Sequence, residues 1–272
     1  MNASHTLTDR AALTRNRSRA TDDALFLHRA ALEEVDDRLS LVNRTFTSAA
    51  IVTGFPQVWG ALHPNATLVE DTDTLALTQG AHDLVVHAMG MHWANDPVGQ
   101  IIQSRRALQP DGLFLSVGFG GQTLHELRAS LGSAEAEVTG GISPRVAPMA
   151  EIRDLGALLQ RAGLALPVAD SFPLRVHYDS ALHLMRDLRA MGESNALQAR
   201  LRRPTRRSVL LKASELYHEG FATPEGKVES TFEVITLTGW SPDESQPQPL
   251  RPGSATHRLS EALNTPETPL KD

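Results

Sequence analysis

The stretch H-D-L-V-V-H-A-M-G-M-H-W-A-N-D-P, His82 to Pro97, decides how this chain folds. His82–Met89 is a nearly unbroken apolar run, the signature of a strand buried on both faces of a parallel sheet. Asn95-Asp96-Pro97 then caps a helix running to Leu108, with proline just inside its start. Q-P-D-G, Gln109–Gly112, reads as a tight turn, and L-F-L-S-V-G-F, Leu113–Phe119, as a second buried strand. The same alternation extends upstream. Ala49–Thr53 reads as a strand, Gln57–Leu62 as a short helix, His63-Pro64-Asn65 as a turn and Ala66–Val69 as a strand closing on Glu70-Asp71. Strand and helix alternating from Ala49 to Phe119 predict a doubly wound, mostly parallel α/β sheet.

The composition narrows the function classes. The chain has 272 residues, 41% hydrophobic and 21% charged, with a net charge of −6, so nothing points to nucleic acid or to an anionic membrane. It has no cysteine, which excludes disulfides, thiolate catalysis and thiolate metal sites. The eleven histidines are scattered, and no metal site is expected. No run is long enough to span a membrane, and there is no apolar signal-peptide core. The expected compartment is the cytoplasm. Residues 1–21 are rich in Arg, Ser and Thr. They read as a transit peptide or, preferably, as a basic arm that stays on the protein.

Asp22–Leu41 carries apolar residues at helical spacing, with Asp22 and Asp23 suited to its start. Downstream, Gln122–Glu137 reads as helix and Thr139–Pro148 as loop. Met149–Ala162 is a helix ended by Gly163. Leu164–Ala169 and Leu174–Tyr178 read as extended, Ser180–Ala190 and Thr205–Glu219 as helices, and Lys227–Trp240 as a long last strand. Residues 241–272 turn to Pro, Ser, Gln and Thr, a tail with little capacity for a core. The expected organisation is one α/β domain over 22–240, with helical cap segments near 122–148 and 179–220. The one dense basic run, Arg200–Arg207, lacks interleaved aromatics and suits an acidic protein partner better than RNA.

H-D-L-V-V-H-A-M-G-M-H-W-A-N-D-P with L-Q-P-D-G-L-F-L resembles the fourth strand, fourth helix and fifth strand of class I S-adenosylmethionine-dependent methyltransferases of the type 11 group. F-G-G-Q-T-L-H-E-L-R, G-G-I-S-P-R, D-L-G-A-L-L-Q-R-A-G, M-G-E-S-N and P-G-S-A-T narrow the resemblance. They look like the bacterial relatives of the mitochondrial complex I assembly factor that hydroxylates an arginine. The biotin-pathway malonyl-acyl-carrier-protein methyltransferases are more distant. The resemblance covers Phe26 to Thr256. It implies a Rossmann-like sheet, S-adenosylmethionine as cofactor, and a protein substrate that is methylated or hydroxylated on arginine.

The chain departs from that pattern at the cofactor loop. Relatives carry an acid and then D-x-G-x-G, whose glycines admit the ligand to the backbone. Here Val52 or Thr53 stands for the acid and only Gly54 remains, followed by bulky Phe55 and by Pro56, which has no N–H. D-T-D-T-L-A-L, Asp71–Leu77, leaves two alignments open. Asp71 is the adenine-side acid and the second strand unit is missing, which is the preferred alignment. Alternatively, Glu70 or Asp71 is the ribose acid at the end of a true second strand, and the third is missing. Either way the sheet is shortened by one strand–helix unit.

The expected cofactor contacts are therefore Thr53, Gly54, Glu70, Asp71, Gly90, Met91 and Trp93. His92 is the candidate general base. Gly120 and Gly121, opening a helix after a strand, could hold an anion. Arg145, Glu193, Ser194 and Asn195 are expected to face substrate. A second reading is a degenerate methyltransferase fold that binds an assembly partner, a respiratory-complex subunit.

Overall fold

A computed structural model describes residues 6–247, 254, 258–262 and 264–265. Asp9 caps helix α1 (Arg10–Arg17), accepting the Ala12 N–H at 3.0 Å. Helix α2 (Phe26–Leu41) leads into strand β1 (Ala49–Thr53). A short helix α3 (Pro56–Trp59) and strand β2 (Thr67–Val69) come next, then strand β3 (His82–Ala88). Helix α4 (Pro97–Ala107) starts at Asp96, whose carboxylate accepts the Gly99 N–H at 2.8 Å. Strand β4 (Leu108–Gly120), helices α5 (His125–Thr139) and α6 (Ile152–Arg161), and strand β5 (Ala165–Tyr178) follow. Helices α7 (Ala181–Ala190) and α8 (Arg207–Phe221) precede strand β6 (Val228–Trp240).

The six strands form one sheet in the order β2-β1-β3-β4-β6-β5. β2, β1, β3 and β4 are parallel, and β6 pairs antiparallel with both β4 and β5. Every residue of β1 and β3 is buried, as a sheet covered on both faces requires. Alternate residues feed opposite layers. Ile51, Leu84, Val86 and Leu115 join the core under α2, α5, α7 and α8. Ala50, Val52, Val85 and Phe114 meet Ile101 of α4 and Leu159 of α6.

The sheet differs from the sequence reading in two places. Gln109–Gly112 is not a free turn. β4 already pairs at Leu108, and the segment is an irregularity in the strand with Asp111 left-handed at φ 57°. The two extended segments after Gly163 are one strand, β5, with a register shift between Ala165 and Val168. β2 pairs directly with β1 as the edge strand, the place that both alignments give it when one unit is missing.

Residues 6–21 are folded in. Ala12 and Leu13 of α1 pack with Trp93, Ala196 and Leu197 in a small core of their own. Residues 243–272 form a separate unit. Helix α9 (Leu259–Ala262) is described there, while most of the Pro-rich tail, including the expected P-G-S-A-T motif except Ser254, lies outside the described residues.

Candidate functional site

Ligands of doubly wound sheets bind beyond the carboxyl ends of the parallel strands. At that edge, this chain separates the expected site residues into two regions.

The first lies over β1 and β2. Thr53, Gly54 and Glu70 line a cleft of about 670 Å³, together with Thr14, Arg17 and Ser18. Thr53 fixes the loop by accepting the Phe55 N–H at 3.1 Å. Phe55 is turned inward, stacked 4.3 Å from the His28 ring. Gly54 is in contact with the Arg17 guanidinium so closely that an added methyl group would collide with it. Arg17 Nη1 donates to both oxygens of Asp71, at 2.7 and 2.9 Å. Arg10 Nη2 adds a bond to Asp71 Oδ1 at 3.2 Å and another to its carbonyl. Asp71 is 1% exposed and lies against Gly90, which leaves no room there for a side chain. The expected contacts Asp71 and Gly90 are thus covered by the chain itself, and Met91 lines a separate cavity of about 120 Å³.

The second region lies over β3 and β4. A 3-10 turn, Met91–Trp93, presents His92 and Trp93 to a cavity of about 270 Å³. Phe119, Leu127, Met185 and Phe232 supply apolar walls, and Arg145, Glu193, Ser194 and Asn195 also line it. Trp93 Nε1 donates to Glu193 Oε2 at 2.6 Å, and His92 Nε2 lies 3.4 Å from the same oxygen. Glu193 Oε1 is buried and finds no partner among the described residues. Burial pushes the Glu193 carboxyl up, but the His92 hydrogen bond and the positive charge nearby, Arg17 included, outweigh it and hold it down at about 2. It is therefore a buried carboxylate at neutral pH.

Other expected residues are occupied. Arg145 grips Glu135 through Nε at 3.0 Å and Nη2 at 2.6 Å, and donates from Nη1 to Thr205. That pair holds the Glu135 carboxyl at about 2, and it leaves Arg145 as a cavity wall with its charge met. Asn195 donates to the Pro144 carbonyl and accepts the Leu197 N–H, while the Ser194 carbonyl accepts from Asn16. Gly120 and Gly121 form no anion cradle. The Gly121 N–H goes to Ala150, the Gln122 N–H goes to Glu233, and the Glu233 carboxylate fills the space over Gly121. The backbone was right for a turn, but a side chain from β6 already satisfies it.

Arg10 and Arg17 went unread as site residues because they lie 61 and 54 positions from Asp71, in a stretch whose only signal was basic charge.

The fit to S-adenosylmethionine fails where the glycine loop matters. Gly54 is filled by Arg17, Pro56 has no N–H, and both Asp71 oxygens are taken.

No protein-family model matches the chain. Among curated proteins, it is 38% identical over 192 residues to arginine-hydroxylase NDUFAF5, mitochondrial, from Danio rerio, covering 71% of this chain and 60% of that one. It is 34% identical over 172 residues to a malonyl-[acyl-carrier protein] O-methyltransferase from Methylovorus sp. (strain MP688), covering 63% and 55%. The solved structure of YcgJ from Bacillus subtilis shares the fold with a TM-score of 0.50 at 12% identity, covering 79% of this chain and 99% of that one.

By sheet order the chain has a methyltransferase-like α/β fold, and in sequence it is similar to the arginine-hydroxylases and malonyl-[acyl-carrier protein] O-methyltransferases above, spanning 60% of the length of the Danio rerio protein. Among the described residues, no helix is long and apolar enough to cross a membrane.

Proposed function

We propose that this chain acts on a protein substrate and holds an arginine side chain of that protein in the His92–Glu193 cavity. One observation carries the reading: Glu193 Oε1 is a buried, unpartnered carboxylate oxygen in an aromatic pocket. A buried acceptor without a donor costs roughly 1–3 kcal/mol, a cost that a ligand donor removes. At about 270 Å³ the cavity is below the range of drug-sized ligand sites and suits one side chain. Arginine fits it better than lysine. Its planar guanidinium stacks on ring faces such as those of Trp93, His92 and Phe119, and it pairs readily with a carboxylate. The name of the Danio rerio relative, an arginine-hydroxylase, agrees with that choice.

In this reading Glu193 binds the guanidinium and Trp93 Nε1 orients Glu193. His92, hydrogen-bonded to the same carboxylate, is the group placed to take or return a proton. S-adenosylmethionine is not the ligand of the state described, because Arg17 sits on Gly54. That observation favours a second reading, in which the chain binds its partner during assembly of a larger complex without modifying it. The cytoplasm, expected from composition, is the proposed compartment, although the Danio rerio protein is named mitochondrial.

Calorimetry with an arginine-bearing peptide and with its norleucine analogue tests the binding step. The arginine peptide should bind, and Glu193→Gln should weaken it at least tenfold. Equal affinity for the two peptides would end the arginine reading. Mass spectrometry of the recovered peptide then separates a modifying protein from one that only binds.

A further inference from the structure

The first region contains an interaction that the proposed function does not use. Arg17 is only 8% exposed, and it bridges the loop after β1 to the acid after β2. Its guanidinium lies over the Phe55 ring, 5.5 Å from the centroid. Its Nε and Nη2 are buried without partners among the described residues. Nothing else on α1 is committed to this cleft as deeply. The rest of the helix is held by the buried Ala12 and Leu13, by Arg10 on Asp71, and at its ends. Asp9 accepts from Arg200 at 2.9 Å and Arg202 at 3.0 Å, Thr8 bridges to Leu197, and Asn16 Nδ2 donates to the Ser194 carbonyl at 2.9 Å.

From this we infer that α1 is a plug: Arg17 occupies the place a cofactor must take over Gly54, and an adenosyl cofactor binds only when α1 leaves. The argument is steric and electrostatic together. Gly54 is the sole glycine left in the loop that should admit a ligand to the backbone, and the close approach it permits is used by Arg17. Asp71 is the buried acid of the cleft, and its two oxygens are consumed by the same guanidinium. A ligand entering here must displace a cation from an acid, so seating of the helix and occupancy by the cofactor exclude each other. The plug is also tied to the second region, since Asn16 and Leu13 of α1 touch the Ser194 backbone and pack beside Trp93. Release of α1 would therefore loosen a wall of the His92–Glu193 cavity.

The test is calorimetric titration of the full chain with S-adenosylhomocysteine, in wild type, Arg17→Ala and Arg15→Ala. Arg15 is on the exposed side of the same helix and serves as the control. The plug predicts weak or undetectable binding to wild type and to Arg15→Ala, and binding at least tenfold tighter in Arg17→Ala. If Arg17→Ala alone fails to fold because Asp71 keeps only its 3.2 Å bond to Arg10, Arg17→Ala with Asp71→Asn is titrated instead and should also gain affinity over wild type. Affinity unchanged or reduced on losing Arg17 would overturn the inference, because Arg17 would then be indifferent to the cofactor or help to anchor it. Absence of binding in every variant would overturn it too, since removing the plug would have opened no site. Either failure leaves the arginine pocket standing, because that is read from peptide binding.

Discussion

The cleft over β1 and the cavity over β3 border the same sheet edge and are completed in opposite ways. Over β1 the acid Asp71 is buried and paired with two guanidiniums from α1. Over β3 the Glu193 side chain is also largely buried, yet one of its oxygens has no partner among the described residues. An acid whose two oxygens are both met within the chain gains little from a ligand donor, whereas one with an orphaned oxygen gains a hydrogen bond. The difference puts the ligand of this state over β3, where the resemblance to methyltransferases alone would have put it over β1.

The comparison can be broken most sharply at Asp71. Removing one partner of a buried ion pair strands the others, so Asp71→Ala should cost about 3–5 kcal/mol by urea denaturation. A loss below about 1 kcal/mol would mean that the pair is solvated and the cleft open. The second region makes a smaller prediction. Glu135→Gln removes the charge facing Arg145 and should cost about 2 kcal/mol by the same measurement. Because the Glu135 carboxyl is held near 2 in the folded chain, its contribution is present above its ordinary value of 4.5 and is lost as pH falls from there towards 2.

Acid should act on the first region earlier. Burial holds the His28 imidazole, which supports Phe55, down at about 4 and lowers His87 as well. Both stay neutral in the fold while the unfolded chain takes up protons below 6.5. For His28, stability should therefore fall as pH drops from 6.5 towards 4, by up to about 1.4 kcal/mol per pH unit, and His87 acts in the same direction. Thermal melts across that window check it, and His28→Gln should flatten the slope. The smallest effect sharpens the role of α1. Asp9→Ala removes its N-cap and should cost about 1 kcal/mol, with faster amide exchange over Arg10–Arg17.

The strands that position the site were legible because burial on both faces writes a continuous apolar run. β1 has the bounds read from the sequence, and β3 is one residue shorter than read. β5 read as two pieces because it is a half-exposed edge strand containing Pro167 and Pro173, which an edge tolerates. In the site, His92 and Trp93 of the M-G-M-H-W turn line one cavity with Glu193, Ser194 and Asn195 of the G-E-S-N segment. The sealing of the other region was not legible. It depends on a helix of eight residues with two buried side chains, too short for a clear period, and on an ion pair made across the fold. Gly54 read as a remnant of a ligand loop because a glycine pressed by a ligand and one pressed by the chain's own arginine look the same in sequence.

A crystal structure of the wild-type chain grown with S-adenosylhomocysteine and the arginine peptide tests the contrast between the two regions most directly. The account predicts a guanidinium bound to Glu193 in the cavity over β3, with Arg17 still seated on Gly54. Adenosyl density over Gly54 with Arg17 displaced, and an empty Glu193 cavity, would contradict it.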